Sequence, residues 1–66
     1  MQIQLNGQRH TLDGEPTLDD LVATLGLTGR RIAVEVNEAI VPRSQHTATR
    51  PADGDRVEVV HAIGGG

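Results

Sequence analysis

Residues 1–27 have the sequence MQIQLNGQRHTLDGEPTLDDLVATLGL, in which the spacing of the apolar residues changes once. Ile3 and Leu5 alternate with glutamines, which is typical of a strand with one buried face. Asn6 and Gly7 follow directly, and both tolerate the positive φ that a two-residue hairpin turn requires. The beginning of the stretch therefore predicts two antiparallel strands.

The second half of the stretch has the period of an amphipathic helix. Thr17 is the expected N-cap, with Asp20 three positions later in capping-box register and Gly26 as the expected stop. Carboxylates in the first turn stabilise the positive end of a helix, so we assign Asp19 and Asp20 to capping and not to catalysis or metal binding. The apolar stripe at i, i+3, i+4 and i+7 comprises Leu18, Leu21, Val22 and Leu25.

Three more strands are expected after the helix. Residues 32–36 alternate between two faces, and the Asn37-Glu38 turn leads into a short strand that Pro42 ends or confines to a sheet edge. After the Asp53-Gly54 turn, residues 56–63 alternate again. The order strand, strand, helix, strand, strand, strand predicts an α+β fold, in which one helix covers a mixed sheet of about five strands.

The last strand determines which side chains lie beside the C-terminal glycines. Val57 and Val59 are expected to face the core. Because side chains alternate along a strand, the opposite face then carries Glu58, Val60 and Ala62. We expect the domain to span residues 1–63 and residues 64–66 to form a flexible tail, since glycine loses more backbone freedom on ordering than any other residue.

Composition limits the possible functions. The 66 residues include no cysteine, no Phe, Tyr or Trp and no lysine, and the net charge is −3. This composition excludes disulfides and thiolate metal sites, and it argues against nucleic acid as a partner, because neither basic clusters nor stacking aromatic rings are present. The beginning of the chain has neither a basic leader nor a long apolar run, so we expect a soluble cytoplasmic protein without a membrane partner.

No pattern of catalytic or metal-binding residues is found. His10, His46 and His61 lie in different predicted elements without the close spacing of a zinc site, and are expected to be scattered surface or partly buried side chains. Ser44 has no G-x-S-x-G context, and the glycines form no phosphate-binding pattern. We therefore expect no catalytic residue, metal or bound cofactor, which leaves the carboxylate of Gly66 as the chemically unusual group.

Two segments carry a family resemblance. VNEAIVPR (residues 36–43) and DGDRVEVVHAIGGG (residues 53–66) resemble the ThiS family, the sulfur carriers of thiamine biosynthesis, which are small β-grasp proteins of the ubiquitin-like superfamily. Together with the hairpin and the helix, the resemblance spans nearly the whole chain and implies a β-grasp fold. His46 and Thr47 depart from the pattern, because an apolar or aromatic residue is expected in that loop.

The resemblance implies a carrier that is a substrate of its partner enzymes. An E1-like adenylyltransferase, ThiF, would adenylate the Gly66 carboxylate with ATP and magnesium that the partner binds. Sulfur from a donor such as a cysteine desulfurase would convert the acyl group to a thiocarboxylate, which would give its sulfur to the thiazole synthase ThiG. Gly64 and Gly65, which lack Cβ, would let the tail enter a narrow channel.

A docking face on the folded domain is also expected. Ordering three glycines costs about 3 to 6 kcal/mol, which contacts of the tail alone would hardly offset. The candidate docking residues are Val60, Ala62 and Ile63, with Arg43 or Arg56 at the rim. The alternative for each of Val60 and Ile63 is that it is simply a core residue, because the phase of the strand can differ by one residue.

Three other functions remain open from the sequence. A molybdopterin-synthase small subunit, MoaD-like, uses the same terminal chemistry, although such chains tend to be longer and richer in aromatic residues. A ubiquitin-like protein modifier would join Gly66 to lysines of other proteins, since this chain has none of its own. A binding domain with an inert tail would form no adenylate.

Overall fold

The computed structural model describes residues 1–61. The expectations for Ala62, Ile63 and the glycines 64–66 concern residues outside this range. The elements in chain order are β1 Gln2–Leu5, β2 Gln8–Thr11, α1 Leu18–Thr24, β3 Ile32–Val36, β4 Ala39–Val41, a single 3₁₀ turn Arg43–Gln45, and β5 Arg56–His61.

The strands form one mixed sheet in the order β2-β1-β5-β3-β4. β1 runs antiparallel to β2 and parallel to β5, while β3 runs antiparallel to β4 and β5. One face packs against α1, and the other is left without a covering layer within residues 1–61. This architecture confirms the predicted α+β fold and is the β-grasp arrangement that the resemblance implies.

Both hairpins turn through two residues with positive φ. The first uses Asn6 (φ 51°) and Gly7 (φ 82°), and the second uses Asn37 (φ 51°) and Glu38 (φ 72°). Two consecutive left-handed residues match the right-handed twist of the flanking strands. Glu38 adopts this conformation although it lacks the freedom of glycine.

The helix begins with the predicted capping box. Asp20 N–H donates to Thr17 Oγ1 at 3.1 Å, and Thr17 N–H donates to Asp20 Oδ2 at 2.9 Å. The hydrogen bonds from the Thr17 backbone and then from its side chain lower the pKa of Asp20 below its ordinary 3.8. Leu25 is the C-cap and is half-buried, and Gly26 follows with φ 73°, as expected for a helix stop.

The core is aliphatic. It brings together the apolar face of the hairpin, the stripe of α1 and the inner faces of β3 and β5. Its buried members are Ile3, Leu5, Leu12, Leu18, Leu21, Val22, Val34, Val57 and Val59.

His46 occupies a buried position, and only 5% of its surface is exposed. Its Nε2 atom lies 3.0 Å from the Val41 carbonyl oxygen, to which Nε2–H donates. Its own carbonyl accepts from Asp19 N–H at 3.1 Å in the first turn of α1. The departure from the family pattern is thus accommodated inside the fold, because the ring fills a core position and satisfies its polar atom there.

Candidate functional site

β5 carries Val60 and Arg56 of the predicted docking face. It is the middle strand of the five, between β1 and β3. Gln4 and Leu5 pair with Arg56 and Val57 on one side, and β3 pairs with β5 along its whole length on the other. The strand that leads into residues 62–66 is therefore held on both edges.

Two asparagines, one from each hairpin turn, fix the backbone of β5. Asn6 N–H donates to the Val57 carbonyl at 2.9 Å, and Asn6 Oδ1 accepts from Val59 N–H at 2.8 Å. Asn37 N–H donates to the Arg56 carbonyl at 2.7 Å, and Asn37 Oδ1 accepts from Arg56 N–H at 2.9 Å. Each asparagine thus acts like one more strand residue beyond the end of its own strand.

The DGD motif anchors the turn before β5. Gly54 N–H donates to the Gln2 carbonyl at 2.7 Å, and Gln2 N–H donates to Asp53 Oδ1 at 2.7 Å. Asp55 Oδ1 accepts from Asn37 Nδ2 at 3.0 Å. The two carboxylates of the motif therefore connect the turn to β1 and to the second hairpin.

The burial of β5 settles its phase. Val57 and Val59 are 0% and 7% exposed, as predicted, whereas Val60 is 44% exposed. The alternative that placed Val60 in the core is wrong, because the alternation puts it on the face opposite Val59. Ala62 and Ile63 lie outside the described residues.

Val60 belongs to a surface that spans β5, β3 and β4. Val60 and Glu58 of β5 lie opposite Ala33 and Glu35 of β3. On the other side of β3, Glu35 lies opposite Ile40 of β4. Ile40 is 71% exposed. We call these five residues, all on the side of the sheet away from α1, the outer sheet face.

The two arginines predicted at the rim differ in position. Arg56 lies on the same side of β5 as Val60, and its Nη2 is 3.2 Å from Glu38 Oε1 in an exposed salt bridge. Arg43 begins the 3₁₀ turn after β4 and is exposed. The structure thus places Arg56 beside the outer sheet face, while Arg43 lies beyond the end of an edge strand.

Sequence reasoning placed Glu58 on the face opposite the core, but it did not name Glu58, Ala33, Glu35 or Ile40 as docking candidates. The alternation within each strand predicts that Glu35 and Glu58 face away from the core. Their juxtaposition depends on the register between β3 and β5, which no short-range pattern contains. Ile40 could have been identified from its place in a three-residue strand just before Pro42, because proline confines such a strand to the edge of a sheet.

Within residues 1–61 no group of three or more His, Asp or Glu side chains could hold a metal ion. A shallow depression of about 150 Å³ is lined by Gln2, Ile3, Gln4, Arg9 and Gly54. It is smaller than the roughly 300 to 1,000 Å³ that is usual for ligand pockets. No helix in this part of the chain has the length and apolar character needed to cross a membrane.

Known proteins resemble the chain over its full length. The model of the ThiS family matches residues 3–66. A thiazole synthase from Magnetococcus marinus is 42% identical over 66 residues, and the chain spans only 20% of that protein's length. The sulfur carrier protein ThiS of Bacillus subtilis is 32% identical over 65 residues, which cover 97% of this chain and 98% of that protein. The crystal structure of a thiamine biosynthesis protein (ThiS) from Geobacter metallireducens has a TM-score of 0.85 at 32% identity and covers 100% of both chains.

Proposed function

Because the chain belongs to the ThiS family, we propose that it is a sulfur carrier of thiamine biosynthesis that works in the cytoplasm. The family match over residues 3–66 carries the proposal, since it includes the strand before the tail and the glycines themselves. The relative from Bacillus subtilis, named as a sulfur carrier, supports it at nearly equal length.

The reacting group is the Gly66 carboxylate. A carboxylate oxygen attacks the α-phosphorus of ATP, pyrophosphate leaves, and the tail becomes an acyl-adenylate. A persulfide sulfur then attacks the acyl carbon and AMP leaves, so that a C–S bond replaces the C–O bond to phosphate. A thiol reduces the S–S bond of this acyl disulfide, which releases the thiocarboxylate and a new disulfide.

The partners supply what this chain lacks. An E1-like adenylyltransferase binds ATP and magnesium, a donor such as a cysteine desulfurase provides the persulfide, and a thiazole synthase accepts the sulfur. The chain contributes the acyl group and the reach of Gly64 and Gly65. Without Cβ atoms, both faces of the reacting carbonyl stay open and the tail can pass a narrow channel.

The thiamine pathway is favoured over molybdopterin synthesis by the relatives. One of them is a thiazole synthase, at 42% identity over the full length of this chain. We infer that a thiazole synthase is also the enzyme that takes sulfur from this chain.

The outer sheet face is the proposed docking surface for the folded domain. Val60 precedes Gly64 by only four residues in the chain, so we infer that a partner that binds the tail also covers Val60. Arg56 lies on the same side of the strand, with its guanidinium in the salt bridge to Glu38. Docking through the domain offsets the free energy lost on ordering the glycines.

Mass spectrometry of the intact chain tests the proposal. The chain is incubated with ATP, magnesium, the E1-like adenylyltransferase of the same organism, a cysteine desulfurase, cysteine and a thiol reductant. We expect a mass gain equal to the difference between sulfur and oxygen, located in the C-terminal peptide.

A truncated chain that lacks Gly65 and Gly66 is the matched control, because it keeps all of residues 1–61. It should gain no sulfur. Loading of the truncated chain, or failure of the full chain to react, would contradict the proposed chemistry. Covalent adducts with lysines of other proteins would instead indicate a protein modifier.

A further inference from the structure

The first hairpin turn contains a chemically labile pair of residues, Asn6 followed by Gly7. When a glycine follows an asparagine, its backbone nitrogen reaches the side-chain amide carbon easily, because no Cβ hinders the approach. A bond then forms between Gly7 N and Asn6 Cγ, the Cγ–Nδ2 bond breaks, and ammonia leaves with the Gly7 amide proton. Water opens the resulting succinimide ring at one of its two carbonyls and gives aspartate or isoaspartate.

The second hairpin turn provides an internal comparison. Asn37 occupies the same place as Asn6, and both have φ 51°. The side-chain oxygen of each accepts from a backbone N–H of β5, at 2.8 Å for Asn6 and 2.9 Å for Asn37. The residue that follows Asn37 is Glu38, whose side chain hinders the attack. The two turns therefore share their conformation and contacts but differ in the residue that supplies the attacking nitrogen.

The folded turn opposes the reaction at Asn6. In the left-handed region ψ is about +30 to +60°, which turns the following nitrogen away from Cβ, whereas ring closure needs both on the same side. Asn6 Oδ1 is also held at Val59 N–H, and Asn6 N–H donates to the Val57 carbonyl at 2.9 Å. Closure of the ring therefore requires the turn to leave β5 first.

We propose that Asn6 is a site of spontaneous deamidation, and that the attachment of the first turn to β5 protects it in the folded chain. The opened turn is accessible to the reaction. Asn6 is exposed to water, and a Cβ at Gly7 would meet no heavy atom beyond its chain neighbours within 4 Å. The modification is independent of the sulfur chemistry that we propose for the C-terminus.

The isoaspartate product weakens the attachment of β5 to the first turn. Its backbone continues through the former side chain, so the turn is one carbon longer and Val59 N–H loses the acceptor that Asn6 supplies. An N–H group without a partner destabilises the fold. The aspartate product keeps an acceptor oxygen and the original backbone. Conversion to isoaspartate therefore loosens the strand that leads to residues 62–66.

Peptide mass spectrometry tests the proposed protection. The chain is incubated for several days at mildly alkaline pH, in buffer and in urea that unfolds it. Deamidated peptides are heavier by the difference between an OH and an NH₂ group. We expect Asn6 to convert at least about tenfold more slowly in the folded chain than in urea, because only the opened turn reacts. In urea, Asn37 should convert at least about tenfold more slowly than Asn6, because Glu38 has a Cβ.

Glu38→Gly is the matched variant, because glycine is compatible with the positive φ at that position. In urea it should raise the conversion of Asn37 to the rate of Asn6, and in the folded chain Asn37 should again be protected. Equal conversion of Asn6 in buffer and in urea would overturn the protection. Conversion of Asn37 in the variant at its original rate would overturn the role of glycine.

The separated isoaspartate form tests the effect on β5. Its Val59 amide hydrogen should exchange faster, and its thermal midpoint should be lower, than in the unmodified chain. Unchanged exchange of that amide would overturn the loss of the Val59 hydrogen bond. These measurements use no partner enzyme, so sulfur loading remains a separate test of the proposed function.

Discussion

At the scale of single residues, the start of α1 shows how two side chains define an element. The side chain of each of Thr17 and Asp20 accepts a hydrogen bond from the backbone N–H of the other. Both N–H groups lie at the start of the helix, where no carbonyl of the helix can accept from them. The Asp20 side chain accepts more strongly when it is ionised, so the same hydrogen bonds lower its pKa. The cap is therefore linked to pH.

The capping box gives the first prediction. Thr17→Ala should lower the free energy of unfolding by about 1 kcal/mol, because Asp20 N–H loses its acceptor. The pKa of Asp20 is lower in the folded chain than in the unfolded chain, so its ionised carboxylate stabilises the fold at pH values above 3.8. This contribution is lost as the pH falls through the pKa of the folded chain.

Urea unfolding of the original chain and of Asp20→Asn measures the pH effect. The difference in stability should be constant above about pH 5 and should shrink below about pH 4. A difference that grows as the pH falls would show that the carboxylate does not act in its ionised form.

The terminal glycines give a second prediction at the residue scale, which follows from the proposed function. Gly65→Ala and Gly66→Ala add a Cβ where the tail must enter a narrow channel, so the rate of sulfur loading should fall at least about tenfold. The thermal midpoint should stay the same. Normal loading in both variants would show that the absence of Cβ is not required.

At the scale of elements, β5 is positioned by the turns of both hairpins. The Asn6 and Asn37 side chains bond to the β5 backbone at 2.8 and 2.9 Å, in addition to the regular sheet hydrogen bonds. Both residues have the left-handed φ that aims their amides at the neighbouring strand. The turns thus join the sheet and hold the strand that precedes the tail.

Asn6 permits a selective test of this arrangement. Asn6→Gly keeps the turn conformation but leaves Val59 N–H without its acceptor, so it should lower the free energy of unfolding by about 1 to 3 kcal/mol. Exchange of the Val59 amide hydrogen, followed by NMR, should accelerate more than that of amides elsewhere in the sheet. Asn6→Asp retains an acceptor and should protect this amide, and equal acceleration in both variants would contradict the assigned role.

At the scale of the whole molecule, the two faces of one sheet differ in burial. The face under α1 supplies the aliphatic core of a chain with 66 residues and no disulfide. A domain of this size has little stability to spare. The outer sheet face contributes little to that core, so substitutions there can test the proposed docking without unfolding the chain.

Adjacent valines of β5 distinguish the two faces. Val60→Asp should leave the chain folded, with a midpoint within a few degrees of the original, but should weaken binding to the E1-like adenylyltransferase about tenfold or more. Val59→Asp, which places a charge in the core, should unfold the chain. Circular dichroism and calorimetry measure the two effects, and unchanged affinity of a folded Val60→Asp variant would remove the outer sheet face as a docking surface.

The sequence predicted most of the local structure. The Asn6-Gly7 turn, the Thr17 cap and the inward direction of Val57 and Val59 were all confirmed. Each depends on residues within a few positions of one another, because φ preferences, capping hydrogen bonds and strand alternation act over short distances. The resemblance to the ThiS family also rests on local segments that keep their order along the chain.

By itself, the sequence determined the helix and the strands and their order along the chain, and it is the basis for the chemistry that we propose at the C-terminal glycines. Only the tertiary structure decided that Glu35 faces Glu58, that Ile40 lies beside them, and that His46 is buried. These relations join residues far apart in the chain or depend on the packing of a loop. Strand register and loop placement follow from the free energy of the complete core, which no short stretch of sequence specifies.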